Sequence, residues 1–409
     1  MQNQTNKSTT KYYILGIATG ILAAVALTLG IVGMVRFFHV ILPLGRGNAM
    51  AGAHITDRNV EKKLALLEDT IQKYFWKDVE EETLEDGLYR GLLRSLEDPY
   101  SVYYTNEELV ALQQQTEGIY YGIGAYIQDG DKGYVQISGV IKDTPAEASG
   151  LMKGDYIYKV NGEDMLDKDK SYVVSKIKGE EHTYVKLTVI RESATEPLEI
   201  DVERLKIESP TVEYEMLDNG MAYIQLIEFD LVTTGQFEAA YEQAQADGMK
   251  GLILDLRGNP GGNLSTVCDI ARMILPKGLI VYTEDKYGKR EEYTCKGENA
   301  IKVPLVVLTD GLSASASEIL AGAVKDYQIG TLVGTTTFGK GIVQKVINLS
   351  DGSAVKLTVS SYFTPNGNNI HGIGIEPDVE VQFDAELYKN GTDNQLEKAK
   401  EVLAKMMQG

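Results

Sequence analysis

Histidine and cysteine are scarce in this chain. Its 409 residues include four histidines, two cysteines and one tryptophan. Two cysteines make neither a disulfide framework nor a four-ligand zinc site. His39, His54, His182 and His371 are scattered, and the His-Glu-x-x-His helix of zinc hydrolases is absent. No metal or other cofactor is expected. A Ser–His–Asp arrangement through His371 stays open as one reading. Positive charge is also short. The 40 Lys and Arg stand against 59 Asp and Glu, a net charge of −19. That balance argues against nucleic acid as a partner and against broad adhesion to anionic lipid. Tandem repeats and low-complexity tracts are absent.

Against this background one apolar run stands out. Tyr12 to Val35 covers 24 positions without a charge. A helix of about 20 such residues spans the hydrocarbon core of a bilayer. The apolar stretch of a cleaved secretory signal is usually about 7–15 residues, which this run exceeds. We therefore expect an anchor at 12–35, after a tail at 1–11 and before a juxtamembrane linker at 36–55. Lys7 and Lys11 precede the run and Arg36 and Arg46 follow it, so flanking charge does not orient it.

Three patterns divide the remainder. Residues 56–117 are helical in pattern, with Leu64, Leu67, Ile71 and Tyr74 near a 3.6 period and Leu88, Leu92 and Leu93 continuing it. Residues 118–204 carry short β-type runs, such as Tyr156–Val160 and Tyr184–Ile190, with helices expected at Pro145–Ser149 and Ser171–Lys178. From 205 to 385 apolar strands alternate with helices. Strands are expected at Ala222–Ile227, Leu252–Leu256 and Val303–Leu308, and helices at Gln236–Ala246, Leu264–Leu275 and Ser315–Tyr327. Such alternation predicts an α/β sheet covered on both faces, with ligand loops at the strands' C-terminal ends. An amphipathic helix at 395–407, within a final segment 386–409, is expected to dock on this body. Cys268 sits in an apolar helical pattern and reads as a buried thiol; spacing does not decide whether it pairs with Cys295.

Chemistry concentrates in three segments. Ser315 opens a predicted helix within Ser313-Ala314-Ser315-Ala316-Ser317-Glu318. Ser315 with Glu318 is also a capping box, so a plain cap competes with a nucleophile, and three alternating serines leave open which one matters. Lys340 follows 25 residues later, in Phe338-Gly339-Lys340-Gly341-Ile342-Val343. Its apolar neighbours would disfavour the ammonium and ready the amine as a base. Gln344, four residues on, would share a strand face with Lys340 and could orient it. Asp255-Leu256-Arg257-Gly258-Asn259-Pro260-Gly261-Gly262 is a glycine-rich turn whose N–H groups could face a carbonyl oxygen. It lacks the Lys-Ser/Thr of a phosphate-binding loop. In the β-rich module, Gly122-Ile123-Gly124-Ala125 could direct several N–H groups at one carboxylate, a known mode of chain-end capture.

Taken together these segments resemble a known family. Tyr121–Ala125 with Thr144-Pro145-Ala146, Gly154-Asp155 and Val160-Asn161-Gly162 is similar to a PDZ domain. Asp255–Gly262, Ser313–Gly322, Thr337–Gln344, Tyr100–Tyr103 and Gly372–Asp378 resemble the C-terminal processing peptidases, also called tail-specific proteases, in order along the chain. The resemblance implies a crotonase/ClpP-like protease core with an inserted PDZ domain. It implies Ser315 as nucleophile, Lys340 as general base, Gln344 as the lysine's positioner, and an oxyanion hole from the N–H groups of Gly261 and Ala316. Gly122, Ile123, Gly124 and Ala125 would bind the C-terminus of a peptide or protein substrate. An extracytoplasmic body is implied too. The helical 56–115 segment and the C-terminal helix are candidate homodimer surfaces. Two other readings stay open: a catalytically silent, membrane-tethered PDZ scaffold, and a crotonase-like acyl-CoA enzyme.

Overall fold

A computed structural model of the protein describes residues 57–408. The expected tail, anchor and linker, with His39 and His54, lie outside the described residues. Among the described residues no helix is long and apolar enough to cross a membrane. The chain divides into two bodies, one up to Leu84 and one from Glu85 onward. Helix Arg58–Tyr74 belongs to the first, and helix Glu81–Arg94 runs across the division.

Strands buried on both faces lose the alternation of surface strands and read as unbroken apolar runs. Leu252-Ile253-Leu254 and Leu305-Val306-Val307-Leu308 are of this kind, and every one of these side chains is fully buried. They form the middle of a six-stranded sheet ordered Val212–Leu217, Met221–Leu226, Gly251–Asp255, Leu305–Thr309, Thr331–Gly334 and Val379–Glu380. The first pair is antiparallel and the others parallel. Phe237, Val267, Ile270 and Leu320 bring helices Thr233–Ala246, Leu264–Ile274 and Ala316–Asp326 into the larger core cluster. Ile253, Val306 and Leu308 pack instead with Ala399 and Leu403 of helix Asn394–Met406. The expected docking of the C-terminal helix is observed. Its N-cap Asp393 accepts from the N–H groups of Gln395 and Leu396 and pairs with Arg257 at 2.8 Å.

A second, antiparallel sheet runs Val102–Tyr104, Ala354–Phe363, Gly278–Asp285 and Arg290–Cys295, with Ile342–Asn348 also paired to Ala354–Phe363. Here the helical expectation for 56–117 needs correction. Val102–Tyr104 is a strand paired with Ala354–Lys356, between helices Glu81–Arg94 and Asn106–Glu117. Three residues are too few to show alternation, and their conformation comes from a partner distant in sequence. Cys268 and Cys295 are both free and buried.

The β-rich module is bracketed by a ribbon in which Ile119–Gly122 pairs with Leu205–Glu208. Its sheet runs Ala125–Asp129, Val135–Val140, Tyr156–Val160, Tyr184–Ile190 and Leu198–Glu203. Helices Pro145–Ala148 and Lys170–Ile177 lie where the sequence places them. The module closes its own apolar core through Ile137, Ile157, Val173, Leu187 and Val202. Ala125–Asp129 is an edge strand, paired only with Val135–Val140.

Candidate active site

Strands Gly251–Asp255 and Leu305–Thr309 end side by side, so the loops leaving them meet. Hydrogen bonds join these loops residue by residue. Asp310 Oδ1 accepts from the Gly258 N–H at 3.0 Å, and the Ala314 N–H donates to the Asn259 carbonyl at 3.0 Å. Ser313 Oγ donates to the Leu256 carbonyl at 2.8 Å, and Ser317 Oγ to the Asn259 carbonyl at 3.0 Å. Both hydroxyls are buried and spent on the glycine-rich turn. Of the three alternating serines only Ser315 keeps its hydroxyl for the cleft.

Ser315 holds φ 56° and ψ −111°, a conformation that costs a non-glycine residue about 1–3 kcal/mol. Neighbours enforce it. Tyr362 Oη donates to the Ser315 carbonyl at 3.0 Å, and Gly261 sits so close that a Cβ there would fall 2.8 Å from Ser315 Cβ. Ser315 and Glu318 form a capping box in which the Ser315 side chain faces the Glu318 N–H, an arrangement that leaves the hydroxyl proton unused. The reciprocal bond is made, with the Ser315 N–H donating to Glu318 Oε2 at 2.8 Å.

Glu318, which the sequence pattern offers as a cap, does more than cap. Its carboxylate is fully buried and accepts four donors. Oε2 takes the N–H groups of Ser315 at 2.8 Å and Lys340 at 2.9 Å. Oε1 takes the Gly339 N–H and Thr337 Oγ1, each at 2.7 Å. Because one oxygen joins the amides of Ser315 and Lys340, those nitrogens lie within about 6 Å of each other. Gly372–Ile375 braces the lysine loop from behind. The Gly372 N–H donates to the Gly339 carbonyl at 2.8 Å, and the Ile375 N–H to Thr337 Oγ1 at 2.7 Å.

The lysine side chain itself points elsewhere. Lys340 Nζ lies over the Tyr100 ring, 4.5 Å from its centroid. Burial lowers its pKa from the ordinary lysine value, and the charge of Lys356 adds to this, while Asp98 and Glu318 pull it back up. The expected strand relation to Gln344 is corrected. Lys340 precedes strand Ile342–Asn348, whose register shifts between Val343 and Gln344, so period-2 alternation does not carry across. Gln344 Nε2 donates weakly to Thr358 Oγ1 at 3.4 Å.

The oxyanion pair is half available. Ala316 opens the helix, and among the described residues no acceptor meets its N–H. The Gly261 N–H instead donates to Asn259 Oδ1 at 2.8 Å. His371 is exposed, beside Gly341, and does not line the cleft around Ser315. His182 is exposed in the β-rich module, 3.2 Å from Glu203.

Ser315, Ala316, Gly261 and Gln344 line one cleft of about 670 Å³. In the module, Gly122, Ile123, Gly124 and Ala125 line a separate groove of about 170 Å³, walled by Val174, Ile177 and Lys178. Gly124 must be glycine there, since a Cβ would meet the Thr144 side chain at 2.4 Å. A third hollow lies next to both. It shares Tyr120 and Lys178 with the module's groove, and Gln115, Glu228 and Asp230 with the Ser315 cleft. The three spaces therefore adjoin one another between the module and the core.

A strained serine open to a cleft, with an apolar groove on an inserted β-rich module, is the arrangement expected of a serine-type peptidase with a PDZ domain. Comparisons with known proteins agree. Residues 220–381 match Peptidase family S41, 136–191 match the PDZ domain, and 47–108 match the Activating protease CtpB N-terminal domain. The Carboxy-terminal processing protease CtpA of Bacillus subtilis (strain 168) is 34% identical over 374 residues, covering 91% of this chain and 77% of that protein. The Probable CtpA-like serine protease of Staphylococcus haemolyticus (strain JCSC1435) is 33% identical over 360 residues, covering 87% of this chain and 72% of that protein. An S41 protease structure from Bacteroides fragilis, 19% identical, covers 82% of this chain and 96% of its own with a TM-score of 0.50, which bears on the fold alone. The chain belongs to the C-terminal processing peptidases of family S41 and is a serine-type peptidase with a PDZ domain.

Proposed function

We propose that Ser315 and Lys340 form the catalytic dyad of an endopeptidase that receives substrates by their C-termini. One observation carries the reading. Ser315 alone among its neighbouring serines presents a free hydroxyl to the cleft, and the Lys340 loop is tied to it through a single oxygen of Glu318. In the reaction, the Lys340 amine leaves the Tyr100 ring by side-chain rotation and accepts the Ser315 hydroxyl proton as Oγ attacks the scissile carbonyl. Burial favours the neutral amine that this step needs. The Ala316 N–H, at the positive end of its helix, stabilises the oxyanion, joined by Gly261 once its N–H turns from Asn259. The ammonium returns its proton to the leaving amine, and water then hydrolyses the acyl-enzyme. Gln344 steadies the lysine in its catalytic rotamer.

At the PDZ groove, the open edge of Ala125–Asp129 adds the substrate as a strand, and the Gly122–Gly124 turn holds its carboxylate. The charge-free run at 12–35 supports a membrane anchor, and the family resemblance supports a catalytic body on the extracytoplasmic side. A homodimer through residues 56–115 draws support from Leu66 and Leu67, both exposed on helix Arg58–Tyr74.

The test is a peptide-turnover assay on the parent and two variants. Lys340→Ala is expected to abolish cleavage and His371→Ala to leave it intact. Activity that survives Lys340→Ala and disappears in His371→Ala would end the dyad reading.

A further inference from the structure

The hollow beside the PDZ groove and the Ser315 cleft is lined by a carboxylate that has no hydrogen-bond or ion-pair partner among the described residues. Asp230 is only 7% exposed. Its backbone is fully engaged, with the N–H donating to Thr233 Oγ1 at 2.9 Å and the carbonyl accepting from Thr266 Oγ1 at 3.2 Å. Among the described residues no donor reaches its carboxylate oxygens and no ion pair includes it. The side chain lies against Gly118, where a Cβ would approach Oδ2 to 3.1 Å, and it lines both this hollow and the Ser315 cleft. Glu228 lines the same two spaces. The cations facing them are Lys178 in the hollow and Lys356 in the cleft, and neither comes within ion-pair distance.

The carboxylate oxygens open onto these spaces and are not sealed in the core, so a guest that enters the hollow strips them of solvent, and leaving them unpaired then is costly. An apolar guest in the hollow would deepen the cost, and an anionic guest would meet two carboxylates. A cationic guest supplies the missing donors and relieves the repulsion from Glu228. We infer that Asp230, aided by Glu228, is a specificity-determining residue that selects a lysine or arginine side chain in the substrate segment lying between the PDZ groove and Ser315. This rests on the reading that a peptide runs along that track. Burial, with the Glu228 charge, raises the Asp230 pKa to about 6, so the group is ionised and ready to pair at neutral pH.

Binding separates this inference from the catalytic assignment. The full chain carrying Ser315→Ala is titrated with N-acetylated peptides that end in a free carboxylate. A single lysine is walked along each peptide and compared with norleucine at the same position. N-acetylation leaves the lysine as the only cation. At one position lysine should bind about tenfold more tightly than norleucine, the scale of a desolvated charge pair. Adding Asp230→Asn, nearly isosteric with Asp, should bring that ratio to about one, and Glu228→Gln, at a half-buried position, to about three. Thermal melts establish that each variant is folded. A ratio near one at every position, or a preference that Asp230→Asn leaves unchanged, overturns the inference. Failure of the dyad would appear separately, as absent turnover in the parent alongside an intact lysine preference.

Discussion

The groove of the PDZ domain and the cleft at Ser315 both lie beside glycine-rich turns, yet they are held together in different ways. In the groove the groups proposed to bind are backbone: an open strand edge and the N–H groups of Gly122–Gly124, between apolar walls. The domain that carries them closes its own core. In the cleft the functional groups are side chains from separate loops, and their relation depends on the four-donor carboxylate of Glu318 and on the strained backbone of Ser315. A backbone site tolerates most substitutions nearby, whereas a site assembled by one buried acid fails when that acid changes.

The largest effect that sharpens this contrast is at the proposed nucleophile. Ser315→Ala should lower turnover by about 10⁴-fold or more while leaving peptide binding at the PDZ groove unchanged. Lys340→Met should match it in turnover and yet raise the melting temperature at neutral pH. The folded-state pKa of Lys340 is depressed, so its favourable contribution is present above the unfolded value near 10.5 and is lost as pH falls through the folded value. A lower melting temperature for Lys340→Met at pH 7 would show that the amine is better accommodated than its burial implies.

Next in size is Glu318→Gln. A neutral amide cannot accept all four donors, so activity should drop about 100-fold and stability by about 2–3 kcal/mol, readable by kcat and by urea unfolding. The PDZ groove should keep its affinity, and a parallel loss there would blur the distinction between the two sites. Amidating the C-terminus of a substrate probes the other side. It should weaken binding about tenfold, the loss of one charge-assisted contact, in the parent and in Glu318→Gln alike. Equal binding of free and amidated peptides would remove carboxylate capture.

The smallest effect lies in the track between the sites. The Asp230 pKa is raised from 3.8 to about 6, so its contribution to stability is complete below about pH 4 and lost as pH rises through 6. Asp230→Asn should therefore be more stable than the parent by about 1–2 kcal/mol at pH 8, with the difference vanishing near pH 4. A difference independent of pH would mean that the carboxylate is paired in solution.

Much of the fold is legible in the sequence because its central strands are buried on both faces, leaving unbroken runs such as Val306-Val307-Leu308. The PDZ elements are legible for a different reason, the Gly and Pro punctuation between short strands. What escapes depends on partners far along the chain. Val102–Tyr104 is a strand only because Ala354–Lys356 lies beside it. Which serine is free is decided by the carbonyls of Leu256 and Asn259, which consume the hydroxyls of Ser313 and Ser317. The relation of Gln344 to Lys340 is broken by a shift at Val343 that no local pattern marks. Glu318 shows its capping spacing, but its reach to residues 337–340 is a matter of tertiary structure. Asp230 carries no motif, and only its missing partners draw notice.

The adjoining spaces that run from Gly122–Gly124 past Tyr120 and Asp230 to Ser315 have a consequence for the products. A polypeptide pinned by its terminal carboxylate at one end would offer the nucleophile whichever bond lies one track-length upstream. The enzyme would then act as a gauge, releasing tails of constant size from unrelated proteins. Chains with tails too short to reach across would escape cutting even when bound tightly.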